Sequence, residues 1–183
     1  LRLVGSEMCI RDRYRENIRT KIIAITGSCG KTTLKELLGN SLKQLSSVGI
    51  SPKSYNNKYG VPLSLFNLDQ KNNYGVLEIG MDKKGEIDYL SKIVKPDVSV
   101  ITNINYAHAK NFKNIKQIAL AKSEIINNTK INGVVVLNAD DNFYTLHKRI
   151  AKKRKLKILS FSIDNQNANI KLVSIKKITN KFK

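Results

Sequence analysis

Between residues 25 and 33 the chain reads ITGSCGKTT, which sets Gly27, Gly30 and Lys31 between an apolar run and a helix-like stretch. Glycines at such a junction permit turns closed to other residues, so the amides entering the helix can face an anion, aided by the positive end of the helix dipole. Lys31 would then reach the β- and γ-phosphates of a nucleotide, and the Thr32 hydroxyl would serve Mg²⁺. The common phosphate loop has its first glycine six residues before the lysine. Here that position is Ile25, and the first glycine, Gly27, makes the loop two residues shorter.

Three other side chains interrupt apolar patterns. Glu78 sits inside the strand-like run GVLEIG, where a carboxylate is expensive to bury without a partner. Near the carboxyl end of that strand it would face the phosphate loop and offer oxygen to Mg²⁺; at a strand edge it would point to solvent. His108, in TNINYAHAKNF, follows another strand-like run and by itself reads as a surface loop residue. Lys122 lies on the apolar stripe of Ile115, Ile118, Ala119, Ile125 and Ile126. A lysine there must snorkel to solvent, lose its proton or be chemically altered. Carbamylation by carbon dioxide would turn it into a carboxylate able to hold a metal or orient phosphate.

These residues need a frame that brings them to one place. From residue 21 onward, strand-like and helix-like segments alternate. KIIAIT, YGVLEIG, DVSVITNI, NGVVVLN and KLKILSFS read as strands. Helices are expected over 31–45, with Leu34, Leu37, Leu38, Leu42 and Leu45 on one face, and at LSLFNL, GEIDYLSKIV, NIKQIALAKSEIINN and about 141–153. The tail ANIKLVSIKKITNKFK alternates with a period nearer two, as at the start of an antiparallel hairpin. The expected fold is therefore α/β: a mostly parallel sheet flanked by helices, with ligands bound beyond the carboxyl ends of its strands. All four chemical features fall at strand ends or on the helix beside them.

Composition narrows the partners. A net charge of +19 raises a nucleic-acid or anionic-membrane partner, but the lysines are spread along the chain and few aromatics interleave with them. A solvated lysine surface that assists capture of polyanionic nucleotides is the reading adopted, and no nucleic acid is expected. Cys9 and Cys29 form neither a disulfide framework nor a metal cluster, as suits a reducing cytosol. No apolar run is long enough to span a bilayer. Residues 1–20 show no clean periodicity and are set aside as an irregular basic arm or a non-native scar.

The compact loop TGSCGKTT resembles the nucleotide loop of the Mur ligases, and the resemblance continues in order through Glu78, His108 and Lys122, with AKSEI around the lysine. Within the family, SYNNKYGVPLSL, LEIGMDKKGEI and VLNADDN most resemble the branch that adds D-alanyl-D-alanine to UDP-N-acetylmuramoyl-tripeptide. The resemblance implies a P-loop NTPase-like central ATP-binding domain over residues 21–183. The domain is expected to be truncated, without the family's N-terminal UDP-sugar domain and C-terminal ligase domain. Gly27, Ser28, Cys29, Gly30, Lys31, Thr32 and Thr33 would bind ATP phosphates. Thr32 and Glu78 would share one Mg²⁺, His108 would serve a second metal position, and Lys122 would be the carbamylated lysine. Asn56 and Asn57 match the family's YNN stretch near the nucleotide and acceptor site. Asn138 and Asp140 match a segment read as turn and cap. The implied reaction is ADP-forming amide synthesis through an acyl phosphate, in peptidoglycan precursor synthesis, by a cytoplasmic enzyme that is monomeric at full length. The alternatives are another Mur-type ligase, whether folylpolyglutamate synthase-like or muramyl, a basic nucleotide-binding module without ligase activity, and a small P-loop kinase.

Overall fold

The computed structural model describes residues 15, 17–106, 109–164 and 167–174. In chain order the elements are β1 (Lys21–Thr26), α1 (Lys31–Lys43), β2 (Val48–Ile50), α2 (Gly60–Phe66), β3 (Tyr74–Glu78), α3 (Glu86–Val94), β4 (Val98–Ile101), a 3-10 turn (Ala109–Asn111), α4 (Ile115–Asn127), β5 (Val134–Asn138), α5 (Tyr144–Lys153), β6 (Lys157–Ser162) and β7 (Ile170–Lys171). The seven strands form one sheet in the order β2-β3-β1-β4-β5-β6-β7. Every pairing is parallel, so all carboxyl ends lie on one rim.

Alternation along β1, an interior strand, sorts the core into two layers. Ile22 and Ala24 face α2, α3, α4 and α5 in the larger cluster, while Ile23 and Ile25 face α1 through Leu34, Leu38 and Leu42. The five leucines expected on one face of that helix divide: Leu37 is 63% exposed and Leu45 is 85% exposed. Of the stripe expected on α4, Ile118, Ala119, Ile125 and Ile126 are buried and Ile115 packs at its edge.

Local details add to these expectations or correct them. Val48–Ile50 is a further strand at the edge of the sheet, too short to give a periodic signal and not among the five strands expected. α2 begins at Gly60, earlier than LSLFNL implies, because Asn57 Oδ1 accepts from the amides of Tyr59 and Gly60 and opens the helix. β7, the first strand of the tail expected to start an antiparallel hairpin, joins the sheet parallel to β6. Asn169 Oδ1 accepts from Ser160 N at 2.9 Å and ties the returning chain to β6. The remainder of that expected hairpin, 175–183, lies outside the described residues. Within the stretch set aside as an arm, Arg15 and Ile18 are buried, and the Arg15 guanidinium reaches Val94 O, Lys95 O and Asp97 Oδ2. The N-x-D segment forms a turn in which Asn138 Oδ1 accepts from Asp140 N.

His147 is packed against α4, with Nε2 at 3.2 Å from Ala119 O. Burial pushes its imidazole below the ordinary 6.5, against weaker opposing pulls from the Ala119 carbonyl and Asp141. The unfolded chain therefore binds the extra proton first, and stability present above the ordinary histidine pKa declines as pH falls below it. Denaturation midpoints measured from pH 8 down to pH 5 should show this loss, and His147→Gln should flatten the profile.

Candidate active site

The site is assembled at the carboxyl ends of β1, β3 and β4. After Thr26 the chain turns through Gly27, at φ +146°, and Gly30, at φ +80°. A methyl group at Gly27 would lie 1.9 Å from Thr102 Oγ1, whereas one at Gly30 would meet nothing within 4 Å. Gly30→Ala should therefore cost about 1 kcal/mol of backbone strain. Gly27→Ala should cost about two to three times as much, because it also displaces Thr102. Urea denaturation of the two variants measures the contrast.

The loop after β4 staples this turn in place. Ser28 N donates to Asn103 O at 2.9 Å, Ser28 Oγ to Asn105 O at 2.9 Å, and Cys29 N to Asn103 Oδ1 at 3.0 Å. Thr102 Oγ1 donates to Cys29 O at 2.7 Å. Ser28 and the amide of Cys29 thus act within the loop's own scaffold. No side chain caps α1, which leaves the amides of its first turn, Lys31, Thr32 and Thr33, aimed along the helix axis at the rim. Cys29 is an exposed free thiol.

Both lysines singled out in the sequence meet at one carbonyl. Lys31 Nζ donates to Gly27 O at 3.0 Å, and Lys122 Nζ, arriving from α4, donates to the same oxygen at 2.9 Å. Lys122 is 1% exposed and does not snorkel. Burial pushes its ammonium down to about 7, the Lys31 charge pushes the same way, and Cys29 opposes. The neutral amine is therefore well populated near neutral pH.

Glu78, the last residue of β3, is equally buried and does not point to solvent. Its Oε2 accepts from Thr32 Oγ1 at 2.8 Å and its Oε1 from Asn56 Nδ2 at 2.7 Å. Glu78 and Thr32 form a pair of oxygen donors at the phosphate-loop helix. Among the described residues no group of three or more His, Cys, Asp or Glu side chains could hold a metal ion. A site with few protein ligands suits Mg²⁺, which keeps several waters and takes substrate phosphate oxygens. His108 lies outside the described residues. Beside the loop is a cavity of about 600 Å³ whose walls include Lys31, Asn56, Asn57, Lys58 and Asp82. Asn57 therefore both opens α2 and lines this space.

Two supporting residues escaped the sequence reading. Lys35, one turn beyond Lys31, is 0% exposed, and its ammonium is fully satisfied by Ser51 O at 2.8 Å, Lys53 O and Glu36 Oε1 at 3.3 Å. It fastens the phosphate-loop helix to the segment leading into Asn56. The available signal was Gly39, four residues on, where a methyl group would lie 2.3 Å from Ile50 Cδ1 and which therefore marks the same helix face as buried. Lys35→Met leaves two carbonyls without their donor and should lower stability by about 3 kcal/mol in chemical denaturation. Glu124, two residues after Lys122, accepts from Gly85 N at 3.0 Å and Asp88 N at 3.0 Å, tying α4 to the start of α3. Burial raises its carboxyl above the ordinary range despite those amides.

The family model for the Mur ligase middle domain matches residues 25–183. The chain belongs to the Mur ligase family. A UDP-N-acetylmuramoyl-tripeptide--D-alanyl-D-alanine ligase of Buchnera aphidicola is 39% identical over 163 residues, which is 89% of this chain and 33% of that protein. A crystal structure of MurF from Acinetobacter baumannii superposes with a TM-score of 0.85 at 38% identity, covering 92% of this chain and 36% of that one. MurF ligase from Thermotoga maritima, in complex with ADP, gives a TM-score of 0.78 at 34% identity over 88% of this chain and 37% of that one. The chain spans about a third of the length of the curated relatives it matches. The all-parallel order and the compact loop are thus those of a Mur ligase middle domain. Among the described residues no helix is long and apolar enough to cross a membrane.

Proposed function

We propose that this chain is the ATP-binding and carboxylate-activating core of a cytoplasmic ligase that adds D-alanyl-D-alanine to UDP-N-acetylmuramoyl-tripeptide. The observation that carries the reading is the meeting, at one rim, of the phosphate loop, the Glu78–Thr32 pair and the Lys122 amine at Gly27 O. The relatives' shared activity and the ADP held by the Thermotoga structure support the same choice.

In this reading the terminal phosphoryl group of ATP passes to a carboxylate of the UDP-linked peptide, giving an acyl phosphate and ADP. The amine nitrogen of D-alanyl-D-alanine attacks the carbonyl carbon, phosphate leaves through a tetrahedral intermediate, and the amine proton is released. The amides of the first turn of α1 bind phosphate oxygens, and Lys31 turns from Gly27 O to the phosphates, where its charge offsets that of the transferring group. Thr32 and Glu78 would hold Mg²⁺, with His108 at a second metal position; the ion supplies charge neutralisation at the phosphates. Asn56 orients the Glu78 carboxylate, and the cavity beside it receives the acceptor. Lys122 is carbamylated: its neutral nitrogen attacks carbon dioxide, an N–C bond forms, a carbon–oxygen π pair moves to oxygen, and the amine proton leaves to solvent.

Titration calorimetry of the chain with ADP, with and without Mg²⁺, tests the core of this reading. Mg²⁺ should tighten binding, and Glu78→Gln should remove that increment while leaving metal-free binding in place. An increment unchanged in Glu78→Gln excludes Glu78 as a metal ligand.

A further inference from the structure

Among the described residues, buried hydroxyls are satisfied with one exception. Ser91 Oγ donates to Ile87 O, Ser64 Oγ to Gly60 O, and Ser99 Oγ pairs with Thr129 Oγ1. Thr26 Oγ1, at the last position of β1 and in a residue 0% exposed, is the one buried side-chain polar atom among the described residues with no hydrogen-bond partner. An unmade hydrogen bond in such a place is a standing cost, and a native fold that keeps one has a use for it.

Position indicates the use. Alternation along β1 puts Thr26 on the face of Ile22 and Ala24, toward α2 to α5, and not on the α1 face of Ile23 and Ile25. Lys122 enters from that same layer and ends on the carbonyl of Gly27, the next residue in the chain. A dry hydroxyl without a partner thus sits on the residue before the carbonyl that holds a dry amine, in the same layer of the fold. An ammonium there only donates, and a neutral amine offers a single lone pair; held on Gly27 O, the nitrogen takes no proton from Thr26, whose hydroxyl stays without a partner. Carbamylation changes that complement: the nitrogen retains one N–H, enough for Gly27 O, and gains two carboxylate oxygens that accept.

We propose that Thr26 is a positioning residue whose hydroxyl donates to the carbamate on Lys122, selecting the carboxylated form over the free amine. This rests on the carbamylation assigned above. A hydrogen bond from a buried hydroxyl to a charged acceptor is among the stronger kinds, and its removal should lower carbamate occupancy at fixed bicarbonate about ten- to a hundred-fold.

The test is ¹³C NMR of the chain in ¹³C-bicarbonate, reading the carbamate carbon, alongside thermal melts. Thr26→Val keeps the shape and removes the hydroxyl; Thr26→Ser keeps the hydroxyl. Expected are a carbamate signal in the wild type and in Thr26→Ser, its loss in Thr26→Val, and a melting temperature in Thr26→Val equal to or above that of the wild type. An undiminished signal in Thr26→Val overturns the role of Thr26 while leaving the carbamate standing. A Thr26→Val chain that is destabilised or unfolded assigns the hydroxyl to the fold and overturns the role as well. Absence of the signal from the wild type, or a signal that persists in Lys122→Met, overturns the carbamate assignment itself and this inference with it.

Discussion

Lys31→Ala in the complete ligase abolishes the ATP-dependent step, with turnover reduced about a thousand-fold or more, while the fold survives. The magnitude follows from what the residue supplies: a fixed positive charge at a transferring phosphoryl group, in a reaction governed by position and electrostatics. The survival of the fold follows from what it touches. Lys31 is half-buried, and its ammonium donates only to loop carbonyls, Gly27 O at 3.0 Å and Ser28 O at 3.5 Å. Gly27 O keeps Lys122 as a donor when Lys31 is gone, and the repulsion between the two ammonium groups is relieved. Release of ADP or phosphate measures the first effect and urea denaturation the second. Turnover near that of the wild type would remove Lys31 from phosphoryl transfer.

Lys122→Ala in the same enzyme has an effect as large, with a different signature. The truncation empties a dry space at the rim and removes the nitrogen on which a carboxylate would be built. Formate or acetate supplied at high concentration can place a carboxylate in that space, so activity should return in part with the small acids and less with larger ones. Lys31→Ala offers no such rescue, because the missing group there is a cation. Steady-state turnover against carboxylate concentration makes the comparison. Full activity without added acid would exclude Lys122 from the mechanism, and lost activity that no small acid restores would leave it a structural lysine.

How much of this was legible depends on where each signal resides. Glu78 and Lys122 stood out because a single residue contradicted its local pattern, a carboxylate in a strand and an ammonium on an apolar stripe. The sheet was legible because strands and helices alternate with distinct periods. Lys35 was hidden because two of its three partners are backbone carbonyls, which have no identity in a sequence, in a segment ordered by a three-residue edge strand. The Asn56–Glu78 contact depends on how a loop closes over 22 residues. Asn103 serves as a staple only because β4 lies beside β1, a fact of topology. Thr26 reads as one more β-former, and its distinction, a hydroxyl without a partner, exists only once the layers are packed.

The shared carbonyl of Gly27 has a thermodynamic corollary. Two donors that lean on a single oxygen cannot respond independently: an anion that draws one away yields the oxygen to the other. Any factor by which nucleotide shifts the chemical state of residue 122 must be returned in full by that state upon nucleotide affinity. A main-chain atom without a letter in the sequence thereby obliges residues 31 and 122 to register each other's occupancy.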